Sequence, residues 1–537
     1  MSLRFLAALL SRRKAPWRLA LVTGVALVAL TGCGGGGGGG VDSAGTEPVI
    51  PAPPVDGPAW FGFGRDAQHS ANGAIATQDL NRIAWSTRLD LAPTYTASGA
   101  LLVHYGSPVV TSHNTVVLPV KTGAAGGFRI EARSGGNGGL IWSSQTDYQV
   151  PPHNWLPSYN VALTAGNRLY FPAAGGKLLV KDDADAGPGA PHAVVFYGAG
   201  TYFASSAAFD ASVFINTPLT IDAQGNVFFG FMVTGANPAG LVSGIARVDA
   251  DGNGTWTSAA TAAADAAIVK VQMNSAPALS TDARTLYVAV NAGAAAGQVQ
   301  RGYLLALDST TLAVKSRVLL LDPASGTVAR VSDDSTASPA VGPDGDVYFG
   351  VLETTFGAHN ARGWLLHFDA TLATQSTPGG FGWDNTPSIV PAAMVPSYAG
   401  TSSYLLMTKY NNYRGVGTGN GVNQLAVIDP HATQVDPISG RTIMKEILTI
   451  AGPTLEAGSA IAVKEWCINT AAVDPSRKSI LVNSEDGYLY RWDLSVNQLT
   501  QRIQLTSGIG ESYTPTAIGA DGAVYAVNNA VLFSIAR

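Results

Sequence analysis

The stretch CINTAAVDPSRKSILVNSEDGYLYRWDL, from Cys467 to Leu494, decides the fold. It contains an apolar run, a polar turn, a second apolar run, an Asp-Gly turn and a third run that ends in an aspartate. Short runs rich in β-branched and aromatic residues, separated by turn residues, are typical of antiparallel strands. The stretch therefore predicts three consecutive strands of one small sheet.

The same order of features returns along the chain from about residue 100. Turns such as Pro343-Asp344-Gly345 and Ala520-Asp521-Gly522 separate the first two strands of a unit, and a looser fourth strand completes it. The third strand of a unit ends in one of the aspartates Asp249, Asp308, Asp369, Asp429 and Asp493. Seven full units and one that stops after its third strand, spaced by roughly 45–60 residues, predict the four-stranded blades of a β-propeller.

The segment NRIAWSTRLDL, residues 81–91, stands alone before the first full unit. It has the character of the fourth strand that the last unit lacks. We expect it to pair with residues 531–535 and to close a ring, because an open ring leaves unpaired strand edges. The predicted fold is all-β: an eight-bladed β-propeller with four-stranded antiparallel blades, the last blade closed by the N-terminal strand.

The composition excludes some classes of function. The chain has 537 residues and a net charge of −5, so it carries no electrostatic footprint for nucleic acid. Its two cysteines, Cys33 and Cys467, form no disulfide framework. The fold must therefore be stabilised by burial of apolar residues.

The N-terminus resembles the signal of a bacterial lipoprotein. A basic region is followed by the apolar segment LALVTGVALVAL, residues 19–30, and by LTGC, which resembles a lipobox ending at Cys33. This predicts a signal peptide over 1–32, an acylated (palmitate-bearing) Cys33 with a flexible Gly/Pro-rich tether over 33–58, and a propeller over 59–537. By the same analogy Gly34 favours the outer over the inner membrane, and exposure to the periplasm or to the cell surface stays open.

Three passages resemble one family. WFGFGRDAQHSANG, residues 60–73, is similar to the segment that precedes the first blade of PQQ-like (pyrroloquinoline-quinone-like) eight-bladed propellers. GGLIW and LLALDSTTL are similar to their third-to-fourth strand passage, with Trp142 and Trp256 at the docking position. The family includes quinoprotein dehydrogenases and non-enzymatic lipoproteins such as the BamB-type scaffold of outer-membrane assembly. The resemblance implies the fold and leaves the activity open.

The resemblance also bears on cofactors. The alcohol-oxidising members carry two adjacent cysteines beside the cofactor, and this chain has none. A Glu and an Asn as Ca²⁺ ligands and an Asp as base would correspond here to Glu465, Asn385 and Asp384. PQQ and Ca²⁺ are therefore possible cofactors that the sequence does not favour.

First strands of propeller blades line the central channel, so the residues before them converge at one mouth. Amide groups there can hold a polar ligand, a cation or water, or each can cap a nearby loop backbone. The residues at these positions are Asn160, Asn216, Asn274, Ser335, Asn385, Asn469 and Tyr513.

One sector of this mouth is denser in functional side chains. The segments WDNTP, MTKYNNYRG, KEWCINT and GESYTP flank the first strands of three successive units. They predict either a binding pocket or a polar rim with aromatic packing between blades. The catalytic candidates are Lys409, Asp384 and Glu465. The candidate ligand-binding residues are Asn385, Lys409, Tyr410, Asn411, Tyr413, Glu465, Trp466, Asn469, Glu511 and Tyr513.

Two weaker motifs favour structural interpretations. Cys467 as a nucleophile needs a histidine partner, and His367, mid-strand, and His431, in a turn, are not obviously near the rim. A buried structural thiol is therefore favoured.

DADGNG places Asp249, Asp251 and Asn253 like the first half of a calcium loop, but the glutamate expected at its twelfth position is absent, which favours a hairpin turn. The histidines show no zinc-ligand spacing.

Two hypotheses of function follow. In the first, the chain is an envelope lipoprotein, anchored to the membrane by its lipid, whose propeller binds or scaffolds a protein or polymer. In the second, it is an envelope oxidoreductase of the PQQ type, or a lyase, with its site at the channel mouth.

Overall fold

The computed structural model describes residues 55–95, 101–153, 155–293, 300–508 and 515–537. Within these residues the chain forms eight antiparallel sheets, named blades 1 to 8 in the order of their inner strands. The strand that comes first in the sequence, β1 (Arg82–Arg88), belongs to blade 8.

Blades 1 to 4 follow β1 along the chain. Blade 1 contains β2 (Val109–Val110), β3 (Thr115–Gly123), β4 (Gly126–Ser134) and β5 (Leu140–Thr146). Blade 2 contains β6 (Ala162–Leu163), β7 (Leu169–Pro172), β8 (Leu178–Lys181) and β9 (His192–Val194). The inner strand is split in the next two blades. Blade 3 contains β10 (Val213–Ile215), β11 (Thr220–Ile221), β12 (Val227–Val233), β13 (Gly244–Val248) and β14 (Gly254–Ser258). Blade 4 contains β15 (Lys270–Val271), β16 (Ala278–Leu279), β17 (Thr285–Asn291), β18 (Gly302–Asp308) and β19 (Val314–Leu319).

Blades 5 to 8 complete the ring. Blade 5 contains β20 (Ala340–Val341), β21 (Val347–Val351) and β22 (Trp364–Phe368). Blade 6 contains β23 (Ser388–Pro391), β24 (Tyr404–Tyr410), β25 (Gln424–Val435) and β26 (Thr442–Ala451). Blade 7 contains β27 (Ala472–Asp474), β28 (Ser479–Asn483), β29 (Tyr488–Asp493) and β30 (Gln498–Gln504). Blade 8 contains β31 (Ala517–Ile518), β32 (Val524–Asn528), β33 (Val531–Ala536) and β1.

The predicted closure is confirmed. β1 pairs antiparallel with β33, with Ile83 opposite Ile535 and Arg88 opposite Val531. The four-stranded blades are confirmed as well, and in blade 5 the fourth strand consists of bridges from Leu365 to Gly379 and from Phe368 to Gln375.

Short helices occur between the strands. The α-helices are α1 (Ala199–Ala204), α2 (Ser206–Asp210) and α3 (Ala259–Ala263), and the 3₁₀ turns are Ala174–Gly176, Ala392–Met394 and Pro475–Arg477. In the part of the chain described here, no helix has the length and apolarity needed to cross a membrane.

The repeated aspartates are structural. The carboxylate of Asp369 accepts hydrogen bonds from the backbone N–H groups of Thr371 and Thr374, at 2.8 and 2.9 Å. That of Asp308 accepts from Thr311 N–H at 3.0 Å in the same turn of blade 4. The aspartate thus satisfies the donors of the turn between the third and fourth strands.

The hydrophobic core lies between neighbouring blades rather than in the channel. One cluster, for example, joins Tyr348 and Leu365 of blade 5 to Tyr404 and Leu406 of blade 6. Each sheet is therefore buried on both faces, which explains why the second and third strands are nearly continuous apolar runs.

A segment before β1 closes one end of the channel. Residues 57–78, here called the plug, make backbone hydrogen bonds to seven of the blades. The carbonyls of Phe61, Ala67 and Gln68 accept from the inner strands of blades 2, 4 and 5, and that of Ala71 accepts from Val473 of blade 7. The end of the ring with the plug is here called the closed face, and the opposite end, where the inner strands begin, is called the mouth.

Candidate functional site: the mouth of the channel

Several amides at the mouth join loops of different blades. Asn160 Oδ1 accepts a hydrogen bond from Ser107 N–H at 2.9 Å, which links blade 2 to blade 1. Asn274 Oδ1 accepts from Ser158 N–H at 2.9 Å, which links blade 4 to blade 2. The capping interpretation therefore holds for these two amides, although the loops that they cap belong to other blades.

Other oxygens near the start of the inner strands have no hydrogen-bond partner within the described structure. They are Asn216 Oδ1, Gln272 Oε1 and Asn469 Oδ1, and all three are buried. The amide nitrogens of Asn216 and Gln272 donate to backbone carbonyls of Val271 and Ser332, at 2.9 Å each, which fixes the oxygens as the free groups. These amides therefore present acceptor oxygens near the start of the inner strands.

Lys409 and Asp384 form a buried ion pair at the mouth. Lys409 Nζ lies 3.6 Å from Asp384 Oδ2, and both side chains are buried. Asp384 is in the left-handed region, with φ of 52°, where its carboxylate also accepts from Thr336 N–H and Oγ1 at 2.7 and 2.6 Å. The carboxylate is thus fixed by blade 5 while the lysine comes from β24 of blade 6.

Glu465, Cys467 and Glu485 form a second group of polar atoms. One ligand atom from each lies within 4.8 Å of the other two, and Cys467 Sγ donates to Glu485 Oε1 at 3.1 Å. Burial, together with the charge of Glu485, raises the pKa of Glu465 to about 8. Burial and Glu485 also raise the pKa of the Cys467 thiol. Cys467 is a buried thiol and not an activated nucleophile, because a nucleophilic cysteine needs a lowered pKa.

His104 is a mouth residue that the sequence did not indicate. It lies in the segment before blade 1, is buried against Trp155 with ring centroids 5.3 Å apart, and has Nδ1 3.4 Å from the amide nitrogen of Asn274. Burial lowers its pKa to about 4, and the charges of Asp384 and Lys409 act on the same ring. The sequence made no histidine near the rim obvious, because His104 reaches the mouth through tertiary folding and not through a repeated motif.

A depression lies beside the mouth over blades 3 and 4. Its volume is about 500 Å³, and Trp155, Met273, Lys270 and Asp333 are among its lining residues. Lys270 Nζ contacts Asp333 Oδ1 at 2.5 Å. Because Trp155 stacks on His104, the depression lies next to that histidine.

Some residues predicted for the mouth serve packing instead. Trp466 is fully buried in the core between blades 6 and 7, and Asn411 holds its backbone through bonds to the carbonyl and the N–H at 3.1 and 3.2 Å. Tyr410 packs between blades 5 and 6, with the Arg362 guanidinium 4.0 Å from its ring centroid. Asn385 Nδ2 donates to Thr408 Oγ1 at 3.0 Å.

Tyr413 shares that interblade core, but its hydroxyl lies near the mouth. Asn411 Nδ2 is 3.5 Å from the hydroxyl, and burial together with the charge of Glu465 raises its pKa. Glu511, Tyr513 and Cys33 fall outside the described residues.

The calcium-loop motif forms a turn. Asp249 Oδ1 accepts from the N–H groups of Asp251 and Asn253 at 3.1 and 2.8 Å, and Asp249 Oδ2 accepts from Asn253 Nδ2. Both carboxylate oxygens are occupied within the turn that joins β13 to β14, which agrees with the hairpin interpretation.

These features define an eight-bladed β-propeller with one closed end and one polar mouth. Comparison with solved structures supports the PQQ-like fold. The chain is similar to a europium-containing methanol dehydrogenase, with a TM-score of 0.55 and 9% identity over 87% of this chain and 88% of that one. It is also similar to the quinohemoprotein alcohol dehydrogenase from Comamonas testosteroni, with a TM-score of 0.52 and 12% identity over 89% and 80% of the two chains. No protein-family model and no curated protein matches the sequence.

The mouth residues do not fit PQQ, a planar quinone that carries three carboxylates. Asp384, Glu465 and Glu485 place carboxylates there, and Lys409 already faces Asp384. The carboxylates of PQQ would be repelled by Glu485, and Lys409 is already engaged by Asp384. The group at the mouth that could hold a metal includes the thiol of Cys467, whereas Ca²⁺ prefers oxygen ligands alone.

Proposed function

We propose that the chain is an envelope lipoprotein whose propeller is a binding module for a cationic segment of a protein or a cationic polymer. The convergence of carboxyl groups at the mouth carries the proposal. Asp384 lies in the connection between blades 5 and 6, and Glu465 and Glu485 lie before and within blade 7.

The chemistry of the mouth favours an ammonium or guanidinium group as the ligand. Within the described structure, the Glu465 carboxylate accepts no hydrogen bond, although its residue is only 9% exposed. The free groups of Asn216, Gln272 and Asn469 are likewise acceptors. A cationic donor satisfies both the charge and the hydrogen bonds of such a site.

Titration of purified full-length protein with an oligolysine peptide, followed by calorimetry, tests the proposal. We expect binding to strengthen from pH 7 to pH 9, because a carboxyl with a pKa of about 8 ionises over this range. Glu465→Gln should weaken binding at pH 9 by about 10-fold or more, since charged hydrogen bonds typically contribute about 1.5–3 kcal/mol. Glu446→Gln, on the outer strand β26, is the matched control and should bind like wild type. Equal affinity of Glu465→Gln and wild type, or equal binding of oligoglutamate, would refute the proposal.

The lipid anchor has its own test. The lipobox-like LTGC and the glycine run after it support anchoring through Cys33, with the outer membrane as the favoured destination. In cells fed an alkyne analogue of palmitate, wild type should carry the label and sediment with membranes. Cys33→Ser should lose both properties, and retention of the label would contradict the anchor.

The alternative of a PQQ-type oxidoreductase is supported by the likeness in fold to two dehydrogenases. Thermal unfolding with PQQ and CaCl₂ separates the two functions, because a tight ligand raises the melting temperature by mass action. We expect no rise, and a clear rise would favour the oxidoreductase.

A further inference from the structure

A second group of potential ligands lies on the closed face, at the joint between blades 5 and 6. Asp344 and Asp346 belong to the turn between β20 and β21, and His367 lies within β22 of the same blade. His431 comes from β25 of blade 6, at an irregularity between Asp429 and Thr433 and not in a turn as the sequence suggested. Two histidines and two aspartates from separate segments thus meet at one place.

The distances among these groups suit one small ion. His367 Nε2 lies 2.7 Å from Asp346 Oδ2, and His431 Nε2 lies 3.7 Å from the same oxygen. His431 Nε2 is also 3.3 Å from Asp344 Oδ2. Ligand atoms on a tetrahedral ion with bonds of about 2.0–2.1 Å are about 3.4 Å apart. Ligand atoms of Asp346, His367 and His431 all lie within 4.8 Å of one another, and Asp344 adjoins this group through His431.

Outer contacts orient the ligands. His431 Nδ1 lies 3.1 Å from Ser402 Oγ, which in turn donates to Asp429 at 2.6 Å. The hydroxyl of Tyr404 donates to Asp344, with oxygen separations of 2.8 and 2.9 Å. Such second contacts fix the ring of a ligating histidine and the carboxylate of a ligating aspartate.

His367 is held by packing. Its ring stacks on Tyr348 with centroids 4.6 Å apart, and Nδ1 has no hydrogen-bond partner within the described structure. Its polar interactions therefore run through Nε2, which faces Asp346 and His431.

We propose that Asp344, Asp346, His367 and His431 bind one divalent transition-metal ion of the zinc class and so fasten blade 5 to blade 6. Two imidazoles with two carboxylates match the ligand preference of such ions and not that of Ca²⁺ or Mg²⁺. The metal takes the place of the hydrogen between His367 Nε2 and Asp346, and the neutral ring then carries its one N–H on Nδ1, so no net proton is released. The joint gains from an added link because blade 5 has no regular fourth strand.

The test is titration of the metal-stripped full-length chain with ZnCl₂. We expect about one equivalent to bind at this site, with a rise in melting temperature. CaCl₂ should produce neither effect. With Co²⁺ in place of Zn²⁺, visible absorption of tetrahedral intensity is expected.

His431→Ala is the informative variant, because His431 is 41% exposed and its loss leaves the core intact. We expect it to lose the cobalt absorption, and zinc affinity should fall by more than about 10-fold, the lower end of the loss seen when only an outer contact is removed. Asp346→Asn serves as a second variant. His113→Ala is the control, since His113 is also exposed and faces a single carboxylate, Asp56, at 2.7 Å. No zinc binding by wild type, or zinc binding by His431→Ala equal to wild type, would overturn the proposal.

Discussion

The ion pair between Lys121 and Asp90 links the closing strand to the first blade and gives a sharp test of the ring. Asp90 follows β1, and its backbone bridges to Lys121 in β3 of blade 1. Lys121 Nζ lies 2.7 Å from Asp90 Oδ1 and also donates to the carbonyls of Ala92 and Gly123 at 2.7 and 2.9 Å. The two side chains are 1% and 0% exposed.

Lys121→Met should therefore be strongly destabilising. The methionine fills similar space, but the Asp90 carboxylate then stays buried without its counter-ion. Removing one partner of a buried pair costs about 3–5 kcal/mol for this reason. Asp90→Asn in the same chain removes the buried charge that has lost its counter-ion. The double variant should therefore recover part of the lost free energy of unfolding, with a coupling energy of about 1–3 kcal/mol.

Urea unfolding followed by tryptophan fluorescence measures these values. Lys315→Met is the matched control, because Lys315 faces Asp308 at 3.5 Å with both side chains more than one-third exposed, and such pairs contribute less than about 1 kcal/mol. A loss in Lys121→Met no larger than in Lys315→Met would refute the view that this pair secures the ring.

Three further predictions concern buried titratable groups. Burial lowers the pKa of His69 in the plug from 6.5 to about 4. Between these pH values the unfolded chain binds a proton at this residue and the folded chain does not. The free energy of unfolding should therefore fall as the pH drops from 6.5 to 4. His69→Gln should reduce this fall, measured as the urea midpoint at pH 7 and pH 4.5; an unchanged fall would contradict it. Burial and Glu485 raise the pKa of Glu465 from 4.5 to about 8. The folded chain therefore keeps this proton where the unfolded chain loses it, and the free energy of unfolding should fall as the pH rises from 4.5 to 8. Glu465→Gln should remove that fall, and an identical pH profile in the variant would contradict the prediction. Burial and Glu485 raise the pKa of the Cys467 thiol. Iodoacetamide at pH 8 should therefore modify the peptide that contains Cys467 rapidly only in urea, as measured by mass spectrometry. Rapid labelling of the folded chain would contradict this prediction.

The fold could be predicted because each repeat carries its own local signals. Gly345 and Gly522 have φ of 94° and 82°, as the Asp-Gly turns require. The isolated strand β1 was identified by what the last repeat lacked, and its pairing with β33 follows from the need to cover a sheet edge.

Features without a repeat could not be predicted. The plug has few strand signals, and its conformation depends on hydrogen bonds to inner strands that exist only after the ring has formed. In blade 5 the residues after Asp369 retain only two bridges to β22, although their sequence resembles that of a fourth strand. Tertiary context decides both cases.

The mouth was predicted in part. Asp384 and Lys409 do meet, and Glu465 does lie beside Cys467, because each pair flanks inner strands of neighbouring units. Glu485 was missed because it occupies a turn that reads as an ordinary hairpin. His104 was missed because its segment precedes the repeats and reaches the mouth across several blades, where it meets Asn274.

The two ends of the channel differ because the plug covers the closed face and not the mouth. Plug residues hydrogen-bond to the ends of the inner strands, so a ligand at the mouth must enter and leave by the same side. Gly57 at the start of the plug donates to the carbonyl of Ser112 on the closed face. The chain therefore enters the ring on the closed face, at the end of the channel opposite the polar mouth.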